Sequence, residues 1–275
     1  MLLLAVAALA FGQVPEGRFE RTLKVSGPVS LDLMTDSGGI SVKPGAAGVV
    51  QVRGILKGHR RADWGAAERR IRALEQSPPV EQTGNKVRVG HVTSPDLLRG
   101  VSMRLEILAP PDSSLLARAD SGGIQAEGIK GPVDAKADSG GIGVADIGSE
   151  VRAAADSGGI RIRNIRGPVF VRTDSGGIEA LDIAGAIDAS ADSGGLRVSQ
   201  TAAAPVRIRV DSGGATVKLV PTAGYDIRVI SDSGRITVPE MTVRGTLSRH
   251  RAEGKVRGGG PLVDVQVDSG TVHIE

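Results

Sequence analysis

The sequence contains no cysteine, which removes disulfide staples and thiol chemistry from consideration. Aromatic residues make up only 2% of its 275 residues: three Phe, one Trp and one Tyr. A globular core of this size normally draws on several large rings, because each buries so much area. The apolar supply must instead come from Val, Ile, Leu and Ala, which suit a thin core between closely spaced sheets. There is no excess of one charge sign either. The net charge is +3 and the pI about 9.4, with both signs mixed along the chain. A nucleic-acid binder would show a basic stripe with interleaved aromatics, so nucleic acid is not expected as a partner. Weak attraction to anionic envelope polymers is compatible with this balance.

No transmembrane span is expected, since no stretch is both long and apolar enough to cross a bilayer. The apolar run over residues 1–10, MLLLAVAALA, is short and suits the hydrophobic region of a signal peptide. Ala8-Leu9-Ala10 offers a small-x-small cleavage site, although no positive charge precedes the run. The chain is therefore expected to be exported, to the periplasm, the medium or the cell envelope.

What the sequence has in quantity is glycine, 39 residues, with 14 prolines. Much of that glycine sits in a repeat. Asp-Ser-Gly occurs nine times, beginning at Asp36, Asp120, Asp138, Asp156, Asp174, Asp192, Asp211, Asp232 and Asp268. From Asp120 to Asp192 the step is 18 residues every time; it then becomes 19, 21 and 36. The last step reads as two periods with one signature missing. Within each unit, apolar columns recur at fixed offsets from the Asp. They are Ile124, Ile142, Ile160, Ile178 and Leu196; then Ala126, Val144, Ile162, Ala180 and Val198; then Ile129, Ile147, Ile165 and Ile183. Alternation at period two means strands with one buried face. One unit cannot bury that face alone, whereas stacked units make a continuous core and pair every strand above and below. The expected fold is all-β: a single-stranded parallel β-helix, or β-solenoid, with about 18 residues per coil. Phe170 falls on the outside of its strand by the same alternation.

The turn signature has a structural explanation. Its paired glycines (Gly122 and Gly123, Gly140 and Gly141, Gly158 and Gly159, Gly176 and Gly177) permit the backbone of a sharp corner. Asp and Ser can fold back onto backbone N–H groups there, as in Asx-turns. Stacking would align Asp120, Asp138, Asp156, Asp174, Asp192 and Asp211 in one column. Neighbours about 4.8 Å apart repel by roughly 0.9 kcal/mol in water and about 3.5 kcal/mol at an effective dielectric of 20. Turn hydrogen bonds are the expected compensation. A row of calcium ions is the alternative, since Asp, Ser and carbonyl oxygens supply part of a calcium shell. No cofactor is otherwise implied. A candidate anion-binding face is the basic run Arg161, Arg163, Arg166 and Arg172.

Domain organisation follows from the regularity. Residues 1–10 read as the signal peptide and residues 111–275 as regular solenoid. Residues 14–110 read as an irregular β-rich region that caps the stack. It holds a helix near residues 63–76, with Asp63 as its cap and Trp64, Ala67, Ile71 and Leu74 on one face. The repeated Ser-Gly-Gly-Ile turns at Ser37–Ile40 and Ser121–Ile124, with the run Arg104–Ile124, resemble the bacterial putative-adhesin family, a domain of unknown function with β-strand repeats. The resemblance implies an exported, envelope-associated β-solenoid and transfers no binding residues.

Enzyme readings fare poorly. Asp-Ser-Gly-Gly also surrounds the nucleophile of trypsin-like proteases, but the four histidines (His59, His91, His250 and His273) are scattered outside the regular repeats and a triad needs a positioned base. Aspartic proteases need two turns meeting in an enclosed site. Carbohydrate enzymology, the least remote alternative, needs paired carboxylates and sugar platforms. The expected function is a non-enzymatic adhesin or scaffold of the cell envelope, with an unknown surface polymer or protein as partner. The alternative is end-to-end self-association into filaments, because the chain finishes on a strand, Gly270–Glu275, whose edge would be open.

Overall fold

The computed structural model describes residues 14–59, 63–92, 94–238 and 244–275; the apolar run over residues 1–10 lies outside them. Among the described residues, two sheets of 12 and 13 strands enclose one continuous apolar core. In each coil the strand before the Asp-Ser-Gly turn joins the 13-stranded back sheet. The strand after it joins the 12-stranded front sheet. Val151–Ser157 and Ile160–Ile165 are one such pair. Coils stack in parallel and in register: Ser139, Ser157, Ser175, Ser193 and Ser212 are successive partners at the back, and Ile142, Ile160, Ile178, Leu196 and Ala215 at the front. The chain is thus a β-solenoid with 18-residue coils through its regular centre.

The expected columns form the core. Ile124, Ile142, Ile160 and Ile178 are all buried, as are Ile129, Ile147, Ile165 and Ile183. Each such side chain contributes about 1.5–3 kcal/mol by leaving water, and it does so only between two neighbouring coils. Small residues precede the turns, where the sheets converge: Ala119, Ala137, Ala155 and Ala191 are buried. Thr173 takes the same place and donates its hydroxyl to the Gly158 carbonyl of the preceding coil at 3.2 Å, so the buried oxygen is satisfied. In the coil of Asp192 a register shift brings Gln200, eight residues after the Asp, to the place where the other coils have Ile nine residues after it. Its carboxamide accepts from the buried Tyr225 hydroxyl at 3.4 Å and donates to the Ala204 carbonyl at 3.0 Å.

The ends depart from the sequence expectation. The coil of Asp36, Ser30–Ser37 with Ile40–Pro44, stacks directly beneath the coil of Asp120. Beyond it the front sheet continues with Val101–Ala109 and then turns antiparallel through Val49–Gly58 and Glu16–Lys24. The back sheet continues with Lys86–Val89 and closes with antiparallel Val80–Thr83. The edge strand Glu16–Lys24 carries charges, some paired across to its neighbour, such as Glu16 with Lys57 at 2.6 Å and Glu20 with Arg53 at 3.0 Å. A charged antiparallel edge is a poor template for further strands. Helix Trp64–Gln76 lies over this end; Asp63 accepts from the Ala66 N–H at 3.2 Å. Ala67, Ile71 and Leu74 are buried, but Trp64 is 37% exposed, so it is not part of the packed face.

At the other end, the 36-residue step is not two successive stacked coils. After the coil of Asp211 the chain skips one rung and builds the coil of Asp232, Tyr225–Ser233 with Ile236–Thr237. It then makes the antiparallel strands Arg244–Leu247 and Arg251–Val256 on the outside. Finally it returns, as Leu262–Ser269 and Val272–Ile274, into the skipped rung between the coils of Asp211 and Asp232. The last strand is therefore paired on both sides rather than open, which removes the ground on which end-to-end stacking was expected.

Candidate functional site

Two ladders run the length of the stack, and both start from the turn signature. The first is glycine. At the first glycine of each pair, an added Cβ would run into the backbone carbonyl of the previous coil: Gly140 against Gly122, Gly158 against Gly140, Gly176 against Gly158, Gly194 against Gly176. Gly158 also sits at φ +153°, where side chains are strained. The first glycine is thus required by the closeness of the coils, and its N–H bonds to the next coil, as Gly158 to the Ser175 carbonyl at 2.9 Å. The second glycine is less constrained: an added Cβ would meet a neighbouring backbone oxygen at 3.1 Å at Gly123, 3.3 Å at Gly141 and 3.2 Å at Gly214. A Cβ at Gly159 meets nothing nearer than the Gly177 oxygen at 3.5 Å, and at Gly195 it meets open space. Arg235 and Thr271 stand at this position in the last two coils.

The second ladder is the aspartates, aligned by the serine register. None of the described hydrogen bonds runs from a turn N–H to these carboxylates; the N–H groups of the first glycine and of the residue after the second, such as Gly158 and Ile160, bond to carbonyls of the next coil. Cations of the back sheet face them instead. Lys136 lies 3.9 Å from Asp138, and Arg172 lies 3.4 Å from Asp174 and 3.8 Å from Asp192. These pairs are about half exposed and individually weak, but they lie along a column of like charge. Burial, and then the charges of Asp36 and Asp138, push the Asp120 carboxyl above its ordinary value, with Lys136 acting the other way. Among the described residues no three acidic or histidine side chains gather where they could hold a metal ion.

The four arginines of the candidate anion face are divided. Arg161 and Arg163 project from the front sheet on Ile160–Ile165, Arg166 lies in the following turn, and Arg172 projects from the back sheet on Val169–Ser175. Arg161 is paired with Glu179 at 2.8 Å. The four therefore do not share one surface. On the back sheet, Phe170 is 39% exposed, with the Arg152 guanidinium 4.8 Å from its ring centre, a cation–π contact.

Sequence reasoning missed two features. One is a left-handed corner at the same place in consecutive coils: Gly128, Asp146, Asn164 and Asp182 have φ of 70°, 58°, 54° and 59°. Gly, Asn and Asp tolerate that conformation best, so their alternation at one offset was the signal. The other is a groove of about 640 Å³ on the front face. Its floor is the second-glycine column, Gly141, Gly159, Gly177, Gly195 and Gly214, with Arg161, Glu179 and Arg197 along its side. It continues into a second groove of about 620 Å³ that reaches Lys43, Glu127 and Arg163.

A family model described as Toastrack DUF4097 matches residues 81–275. The chain belongs to the Toastrack DUF4097 family. The matched part of this Toastrack chain begins at Glu81, so the coil of Asp36 and the helix precede it although that coil belongs to the same stack. Among solved structures, a protein of Bacteroides fragilis described as a putative adhesin is 14% identical, with 94% of this chain and 97% of that one covered and a TM-score of 0.50. The likeness is one of fold. A protein of Clostridium sporogenes described as a putative cell adhesion protein is also 14% identical over 94% of this chain and 99% of that one, with a TM-score of 0.28. No curated protein matches the Toastrack sequence.

Proposed function

We propose that this Toastrack chain is a non-enzymatic, exported protein of the cell envelope that adheres or scaffolds through the long faces of its solenoid. One observation carries the reading. The outward positions of successive coils repeat in register along both sheets, which makes extended surfaces with side chains at about 4.8 Å steps. Such surfaces suit broad attachment better than an enclosed reaction site. The fold shared with a protein described as a putative adhesin supports the same reading, as does the signal-like run over residues 1–10.

Fractionation of bacteria making the full chain tests it, combined with protease treatment of intact cells and an attachment assay with and without the gene. The expected result is envelope-associated protein cleaved near Ala10 and weaker attachment in its absence. A cytoplasmic, uncleaved protein would overturn the proposal.

A further inference from the structure

The front-face groove has a composition that the turn chemistry does not require. Its floor is bare because the second glycine has been kept through the central coils, although a Cβ at Gly159 or Gly195 would meet only ordinary contact or open space; at Gly141 and Gly214 it would be tight, at 3.3 and 3.2 Å from a backbone oxygen. The trench runs over five rungs, from Gly141 to Gly214, four steps or about 19 Å. It stops where the next coil carries Thr271 instead of glycine. Across it, the Gln125 carboxamide lies over Gly143.

The charge around this trench is unbalanced. Lys43, Arg161, Arg163 and Arg197 face Glu127 and Glu179. Glu179 is committed to Arg161 at 2.8 Å. Among the described residues, Arg163 and Arg197 have no carboxylate within salt-bridge distance, in contrast to Arg172 on the opposite sheet. Asp146 and Asp182 stand at the far ends of the same strands, and Asp146 already accepts from Asn164 at 2.6 Å. Arg161 and Arg197 sit at equivalent places two coils apart, or roughly 10 Å.

We infer that the front-face trench binds a linear anionic polysaccharide lying along the solenoid axis. Its carboxylates or other acid groups are held by Arg197 beside the glycine floor and by Arg163 where the trench continues into the second groove, and its ring faces rest on the glycine floor. Guanidinium groups meet carboxylates in two-pronged fashion, and Gln125 and Thr216 offer hydrogen bonds to hydroxyls. The chemistry favours a glycan over an acidic peptide. The strands beneath the trench are paired on both sides, so no free main-chain groups remain for an added strand. It also favours a glycan over single-stranded nucleic acid, whose closely spaced phosphates call for a continuous basic track, whereas Glu127 and Glu179 lie among the cations of this face. The inference rests on the reading of the chain as a non-enzymatic envelope protein and names its partner class.

The test is titration of the full chain with polygalacturonate at low salt, with dextran as neutral polymer and polyglutamate as acidic peptide. Polygalacturonate is expected to bind and dextran not. The Arg163→Ser/Arg197→Ser variant, exposed at both sites and checked for an unchanged melting temperature, should lose roughly tenfold or more in affinity, as two charge contacts would predict. Arg172→Ser on the back sheet should bind like the parent. Added salt should weaken binding by screening. The assignment is overturned if polygalacturonate does not bind, if the double variant binds as well as the parent, or if polyglutamate binds more tightly. Those results leave envelope location and cell attachment untouched, so failure here is distinguishable from failure of the wider function.

Discussion

The central coils and the end coils of this chain obey different rules. From Asp120 to Asp211, order in sequence is order in space, every turn carries both glycines, and each strand lies parallel between its neighbours. At the ends the order is permuted, the second glycine disappears from the coils of Asp232 and Asp268, and antiparallel strands cover the stack. The contrast separates what stacking requires from what has merely been repeated. The first glycine persists in every coil that carries the signature, and in the central coils the apolar columns are broken only at Gln200. The second glycine persists from Gly39 to Gly214, and its stretch from Gly141 onward floors the trench.

The largest effect should come from breaking the shared requirement. Gly158→Ala drives a Cβ into the Gly140 carbonyl in mid-stack and should cost about 3–4 kcal/mol. Thermal unfolding followed by circular dichroism should show a large drop or no folded protein. A mild shift would mean that coils can separate without penalty. Next is the permuted end. Ile274, near the final residue, is fully buried, so Ile274→Ala should cost about 2–4 kcal/mol, as much as Ile162→Ala in the centre. Denaturant unfolding of the two variants decides it, and a near-neutral Ile274→Ala would mean a frayed terminal edge and a wrong coil order.

Gly159→Ala sharpens the glycine contrast. It meets only ordinary contact and should change stability by about 1 kcal/mol or less, against the several lost at the neighbouring Gly158. Equal losses at the two positions would merge the roles assigned to them. The smallest effect concerns the aspartate ladder. Burial and the neighbouring carboxylates raise the Asp120 pKa in the folded chain, so the unfolded chain gives up this proton first. Stability is therefore favoured below the carboxylate range and declines as pH rises through it. Asp120→Asn should melt slightly higher than the parent at pH 7 and alike at pH 3, where the carboxyl is protonated in both states. Melts with calcium and with chelator should coincide for both proteins. A calcium-dependent loss in Asp120→Asn would make the ladder a cation site.

The regular centre was legible because stacking imposes one period on every level at once: turn, column and strand. Ile124, Ile142, Ile160 and Ile178 lie in the core for the reason their spacing suggested. The permuted end was not legible, since the step between Asp232 and Asp268 is twice the period and hides a hairpin plus a returning coil. The arginine run misled because sequence neighbours on either side of a turn face opposite ways, so Arg163 and Arg172 belong to different surfaces. The trench escaped notice because both glycines of each pair read as turn residues. Only the substitution of the second one, by Arg235 and Thr271, hinted that the pair has two jobs.

The returning coil also bears on how the stack comes apart. An ordinary repeat array loses its terminal rung most easily, one interface at a time. Here the last strands are wedged between two others, so withdrawing them breaks ladders on both sides before any relief is gained. The chain end nearest Glu275 is thus a bolt rather than a loose edge. Unfolding from that side faces a kinetic barrier set by two interfaces together, and the rung cannot be closed until residues 262–274 have been made and threaded home.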